Sequence, residues 1–175
     1  IHRDIKPSNF LLQQSQSNPL VLVDFGLALP YIDKDTKEII EYEQTRFAGT
    51  KKYASVFSHT KNELGRRDDL ISWIYSSVEI FKGSLPWSSC DSEQDLVHAK
   101  QTITPEELCS NMPKAFYKIY MYLLNINQQD LPAYSKMEKN LNHAFAEHNI
   151  NMDAINWQPL FISNTNLAPL MSKDK

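Results

Sequence analysis

The reading of this chain turns on two short stretches, IHRDIKPSNF at residues 1–10 and LVLVDFG at 20–26. FLL (10–12) and LVLV (20–23) are apolar runs of strand length, and the polar QQSQSNP (13–19) that separates them has turn composition. Together they predict two strands joined by a solvated turn. Two oxygen-bearing side chains, Asp4 and Asn9, stand five residues apart just before the first strand, and a third, Asp24, follows the second. The separation of twenty positions from Asp4 to Asp24 suits a hairpin between the two aspartates.

Composition bounds the possibilities around that nucleus. A chain of 175 residues is long enough for one domain with a substantial core. Its 18 Lys and Arg against 21 Asp and Glu leave a net charge of -3, which argues against a nucleic-acid partner. The pairs Lys51-Lys52 and Arg66-Arg67 are too short to change this, although either could hold one phosphate. Cys90 and Cys109 form neither a CxxC spacing nor a paired framework, so reduced thiols in a cytosolic or nuclear setting are expected. No apolar run approaches the ~18 residues needed to span a bilayer, and the polar start IHRD is no signal peptide.

Beyond the hairpin, residues 27–52 are mixed and charged without helical or alternating period, and predict a long functional loop. Helices follow. In DDLISWIYSSVEIFKG (68–83), Leu70, Trp73, Ile74, Ser77, Val78 and Phe81 recur at helical spacing. Acidic residues at its start, with Lys82 and Gly83 at its end, match the helix dipole and the C-terminal glycine preference. TPEE (104–107) is a capping-box pattern. KAFYKIYMYLLN (114–125) places Phe116, Ile119, Tyr120, Leu123 and Leu124 on one stripe, and a helix at 134–148 presents Tyr134, Met137, Leu141, Ala144 and Phe145. His59, His98, His143 and His148 lack metal-ligand spacing and read as surface or packing residues. The tail at 158–175, rich in Asn, Ser, Pro and Lys, is expected to be disordered. No internal repeat is visible.

HRDIKPSN followed by DFG resembles the catalytic loop and the metal-binding motif of protein kinases. The resemblance implies a mainly α fold, the C-terminal large lobe of a kinase from the catalytic loop onward (1–157), with ATP and Mg²⁺ as cofactors and protein substrates. It makes Asp24 the main Mg²⁺ ligand and Asn9 the donor of an amide oxygen to a second ion. Asp4 accepts or orients the proton of the substrate hydroxyl, and Lys6 brings a point charge to the transferred phosphate. Lysine at position 6 implies serine/threonine specificity, and Thr50 would fix the rotamers of Asp4 and Lys6. His2 is expected to pack beneath Phe25 of the Phe25-Gly26 pair and hold backbone. Asp69 is either a plain helix cap or, as the resemblance favours, a support for the catalytic loop. Arg3 could receive a phosphate on Thr45, or Thr45 is merely a solvated loop residue.

FAGTKKYASVFSH (47–59), GRRDDLISWIYSSVEIFKGSLPW (65–87) and HNINMDAINW (148–157) are similar to the casein kinase 1 superfamily and, within it, look most like the tau-tubulin kinases. The APE triplet of most kinases is absent, and so is an arginine in QQDLPAYSKM (128–137) to pair with it, so no lone buried charge is left. The chain departs from the family at Ile74, where glycine is usual, and at Lys52, where arginine is common. Lys52 with Gly83 and Ser84 would form an anion site for acidic or pre-phosphorylated substrates, or Lys52 is an ordinary loop lysine. Four glycines, at 26, 49, 65 and 83, leave no glycine-rich phosphate loop, so the chain is expected to be a fragment, inactive alone, of a complete and monomeric kinase. The alternative is a non-catalytic binding module whose exposed apolar surface takes a partner.

Overall fold

The computed structural model describes residues 1–13, 19–40, 47–60, 64–151 and 154–155. Most of the turn expected at 13–19, Thr45, and the tail at 158–175 lie outside these residues. Strands β1 (Phe10–Leu12) and β2 (Leu20–Leu22) pair antiparallel with Phe10 opposite Leu22 and Leu12 opposite Leu20. Single turns of 3-10 helix cover Pro7–Asn9 and Phe25–Leu27, and a slightly longer one Val56–Thr60. The rest is helical: α1 (Arg66–Lys82), α2 (Glu93–Thr102), α3 (Pro105–Leu108), α4 (Lys114–Asn125) and α5 (Tyr134–Glu147). No helix among the described residues is long and apolar enough to cross a membrane.

Helix α1 is the centre of the packing. It starts where the Gly65 N–H donates to the Asp68 carboxylate (2.8 Å) and stops at Gly83, whose φ of 85° is the left-handed conformation that favours glycine. The face it buries differs from the expected stripe. Ile71, Ile74, Tyr75 and Val78 are fully buried, whereas Leu70, Trp73 and Ser77 are half-buried and Phe81 is 54% exposed. LISWIYSSVEIF is apolar on more than one side, so periodicity alone admits two phases about one residue apart, and contact with α4 selects between them. Ser72, Ser76 and Ser77 satisfy their hydroxyls on the carbonyls four residues earlier, at 2.8–3.0 Å, which lets polar residues enter this helix at little cost.

Ile119, Tyr120 and Leu123 of α4, Leu108 of α3 and Trp87 complete the core, each stabilising the fold by about 1.5–3 kcal/mol through burial. Tyr75 packs edge-on to Trp87 at 4.8 Å and meets Tyr120 hydroxyl to hydroxyl at 3.2 Å. The capping box at 104–107 forms as expected, Thr104 Oγ1 accepting the Glu107 N–H and Glu107 returning a bond to the Thr104 N–H. In α5, Met137 and Ala144 are buried, while Tyr134 is 48% exposed. Within the 27–52 loop, Ile32 and Ile39 form an isolated antiparallel bridge around a turn that Asp33 Oδ1 caps by accepting the Asp35 and Thr36 amides at 2.8 Å.

Candidate active site

The hairpin sets the geometry. The Val23 N–H donates to the Asn9 carbonyl (2.9 Å) just beyond the Phe10–Leu22 pair, so Asn9 and Asp24 stand at the same end of the two strands. His2, only 6% exposed, spans the gap: its Nε2–H donates to the Val23 carbonyl (3.1 Å) while Nδ1 accepts the Asp4 amide (3.3 Å). Those partners require the neutral Nε2-protonated tautomer, so the imidazole is engaged at both nitrogens in holding backbone. Its ring meets Phe25 edge-on at 5.0 Å.

Asp4, Lys6 and Thr50 close a ring of bonds. Asp4 Oδ2 accepts from Lys6 Nζ (2.7 Å), Asp4 Oδ1 accepts the Thr50 N–H (2.9 Å), and Lys6 Nζ also donates to Thr50 Oγ1 (3.1 Å). The buried Asn9 donates Nδ2 to the Asp4 carbonyl (2.9 Å), which leaves its amide oxygen as the atom for another partner. Burial raises the Asp4 carboxyl, but the bonds from Lys6 and Thr50 and the lysine charge outweigh it, and the group lies below its usual value. Asp4 is therefore ionised at neutral pH. Thr50 reaches this position because Gly49 has φ 99°; a Cβ there would stand 2.3 Å from the Arg3 carbonyl.

Asp69, in the first turn of α1, accepts the His2 N–H (2.7 Å) and the Arg3 N–H (2.8 Å), so it braces the backbone just before Asp4, while Asp68 bonds the helix start. Arg3 itself has φ 70°, a conformation that costs a non-glycine residue about 1–3 kcal/mol and needs such over-determination. Its Nε donates to the Leu27 carbonyl (2.6 Å), which ties the segment following Asp24 back to residues 1–3. Asp24 also has positive φ (66°) and is solvent-exposed. Gly26 lies close to it, since a Cβ there would meet Asp24 Oδ1 at 3.3 Å.

The structure thus brings Asp4, Lys6, Asn9, Asp24, Thr50, His2, Arg3, Phe25 and Asp69 into one neighbourhood. It treats Lys52 differently. The Lys52 ammonium pairs with Glu79 Oε1, and the Tyr53 hydroxyl donates to the other Glu79 oxygen, one turn before Gly83. The charge an anion near Gly83 and Ser84 would meet is already neutralised. Ile74, the other departure, is a fully buried core residue.

Several polar residues of consequence escaped the sequence analysis. Arg67 is 6% exposed, with its guanidinium 3.8 Å over the Phe57 ring and Nη1 donating to the Ile126 carbonyl (2.8 Å). Asp68 is buried and accepts from Ser55 Oγ (2.5 Å). His59 has a fully enclosed side chain stacked on Phe47 at 5.4 Å, so it packs and is not a surface residue. Lys100 is 3% exposed. Nothing in spacing separates such residues from solvated ones, because each is buried by elements distant in sequence.

Residues 1–146 match the protein kinase domain family, and the chain belongs to it. It is 36% identical over 147 residues to a probable serine/threonine-protein kinase of Dictyostelium discoideum, covering 83% of this chain and 30% of that protein. It is 33% identical over 165 residues to the serine/threonine-protein kinase spe-6 of Caenorhabditis elegans, covering 89% and 44%. A probable casein kinase I homolog of Encephalitozoon cuniculi is 32% identical over 162 residues, covering 89% and 53%. The chain therefore spans between about a third and a half of the length of these relatives.

The donor set fits the magnesium nucleotide that protein kinases use. Among the described residues no cluster of three or more His, Cys, Asp or Glu could cage a metal. One exposed carboxylate, Asp24, and one amide oxygen, Asn9, suit an ion that keeps most of its sites for water and phosphate oxygens.

Proposed function

We propose that this chain is the catalytic large lobe of a serine/threonine protein kinase of the casein kinase 1 superfamily, nearest the tau-tubulin kinases, that transfers the γ-phosphate of MgATP to protein hydroxyls. The observation that carries the proposal is the closed Asp4–Lys6–Thr50 ring, roofed by Asn9 on the Asp4 carbonyl and braced by Asp69. Asp4, ionised and fixed by both its oxygens, orients the substrate hydroxyl and takes its proton as the oxygen bonds to phosphorus and ADP leaves. Lys6 extends its ammonium from the same ring toward the phosphate being transferred. Asn9 and Asp24 hold Mg²⁺, which supplies neutralisation of phosphate charge when bound. Thr50 positions both Asp4 and Lys6.

The glycine-rich loop and strand lysine of the family belong, on this proposal, to another segment of the protein. Leu11 and Leu20 stand on opposite faces of the hairpin and Phe25 just beyond it, exposed at 51%, 54% and 62%, and that segment would rest on part of this apolar rim. The same rim serves the competing reading, a non-catalytic module that takes a partner there.

The test uses the full-length protein with MgATP and a serine peptide. Turnover should fall about 10²–10⁴-fold in Asp4→Asn and be lost in Asp24→Ala, at a temperature where circular dichroism shows both variants folded. Turnover indifferent to both substitutions would remove the proposal, and no turnover in the wild-type protein would favour the binding module. The 175-residue chain alone should neither bind MgATP tightly nor transfer phosphate; calorimetric titration checks this.

A further inference from the structure

Lys100, in the last turn of α2, is buried in a place where the chemistry above has no use for a charge. Its Nζ donates to the Lys51 carbonyl (2.6 Å) and the Ala54 carbonyl (2.7 Å) and meets His59 Nε2 at 3.2 Å. The rings of Tyr75 and Trp87 lie 5.4 and 5.3 Å from it. An ammonium has three donors, and here it finds three acceptors with aromatic faces around them. Among the described residues it has no carboxylate partner, so its partners are the backbone and the histidine.

What those acceptors belong to matters. Lys51–Ala54 directly follows Thr50, whose own carbonyl accepts the Tyr53 and Ala54 amides at 2.9 and 3.0 Å, closing a tight turn. The turn's remaining inward carbonyl, on Lys52, accepts from Trp87 Nε1 at 2.8 Å. Three carbonyls of the turn thus rest on two buried side chains, Lys100 and Trp87, both anchored in the helical core. On its other side the turn presents Thr50 to Asp4 and Lys6.

We propose that Lys100 is a positioning residue: it clamps the Lys51–Ala54 turn against the core and thereby sets where Thr50 holds Asp4 and Lys6. The side chains that face it are His59 from the preceding segment, Tyr75 from α1 and Trp87; beyond His59 stand Glu93 of α2, whose carboxylate lies 3.9 Å from His59 Nδ1, and the Lys51 ammonium paired with it. Burial lowers the Lys100 ammonium to about 7, and burial followed by the Lys100 charge lowers His59 to about 4. With His59 neutral, Nε2 accepts from the ammonium; once Lys100 is deprotonated, the other histidine tautomer donates to it. Two N–H donors remain for the Lys51 and Ala54 carbonyls in either state, so the clamp survives across neutral pH.

The consequence for catalysis rests on the kinase function proposed above, whereas the clamp does not, and the experiment separates them. In the full-length protein, Lys100→Met should speed amide exchange of Tyr53 and Ala54 about 10-fold or more and move the His59 titration upward. It should cut kcat for a serine peptide about 10- to 100-fold, with KM for MgATP within about twofold of wild type. Lys100→Arg, which keeps donors, should recover part of both losses. Unchanged exchange and kcat in Lys100→Met would overturn the proposal. If the wild-type protein shows no turnover, the kinase reading fails and exchange alone decides the clamp. Should Lys100→Met not fold, the wild-type lysine decides by heteronuclear NMR: titration near 7 with slow Nζ proton exchange supports the clamp, and titration at the ordinary 10.5 with free exchange overturns it.

Discussion

Tyr75 in α1 and Asp4 in the loop before β1 are both hidden from solvent, at 0% and 7% exposure, but different forces keep them there. Around Tyr75 the chain is held by apolar area: Ile71, Val78, Leu108, Ile119, Leu123 and Trp87 are fully or nearly fully buried, and the aliphatic ones need no specific angle to contribute. Around Asp4 it is held by directed bonds from Lys6, Thr50 and Asn9 and by the Asp4 N–H donated to His2, with positive φ at Arg3, Asp24 and Gly49 close by. The first region tolerates conservative exchange of volume. The second tolerates far less, since its bonds join specific atoms and the backbone at Arg3 and Asp24 is already strained. Apolar area dominates one region and directed polar bonds the other; Asp69 ties the helical region to residues 2–3, and Lys100 ties it to the turn after Thr50.

Substitutions can break that contrast or sharpen it. Leu123→Ala, in the fully buried stripe of α4, should cost about 2–5 kcal/mol in denaturant unfolding; a loss below 1 kcal/mol would show that the helical region is not the main source of stability. Asp69→Ala leaves two backbone amides without their acceptor and should cost about 1–3 kcal/mol in the same measurement, with a larger relative loss of phosphotransfer than Leu123→Ala produces. Thr104→Ala removes a helix cap remote from the site and should cost about 0.5–2 kcal/mol with no effect on turnover.

The smallest effect concerns acid. Because the Asp4 carboxyl lies below its usual value when folded, its contribution is complete above the unfolded value near 3.8 and is lost as pH falls through the lower folded one. Lys6→Met removes the strongest of the lowering partners, so the Asp4 midpoint followed by carboxyl NMR should move upward. An unmoved midpoint would mean that the Lys6 bond contributes nothing in solution.

Much of the site was legible because its residues are close in sequence and of unusual type. Asp4, Lys6, Asn9 and Asp24 lie within one hairpin, and the strands and the Thr104 cap follow from local chemistry alone. The buried phase of α1 was not legible, because an apolar run of that length admits two stripes and only α4 distinguishes them. Lys52 showed the same limit: its residue type permits an anion site, but Glu79, in direct contact in space and 27 residues away in sequence, takes the charge.

By itself the order of residues determined the candidate site, through the carboxylates, the carboxamide and the lysine that the proposed phosphoryl transfer needs, and through the hairpin that draws Asn9 and Asp24 together. The tertiary structure alone decided which charges are buried. Lys100, Arg67 and Asp68 look solvated in any local window, and only tertiary neighbours withdraw them from water: the turn after Thr50 for Lys100, Phe57 and the Ile126 carbonyl for Arg67, and Ser55 for Asp68. Desolvation depends on neighbours distant along the chain, and no periodicity records it.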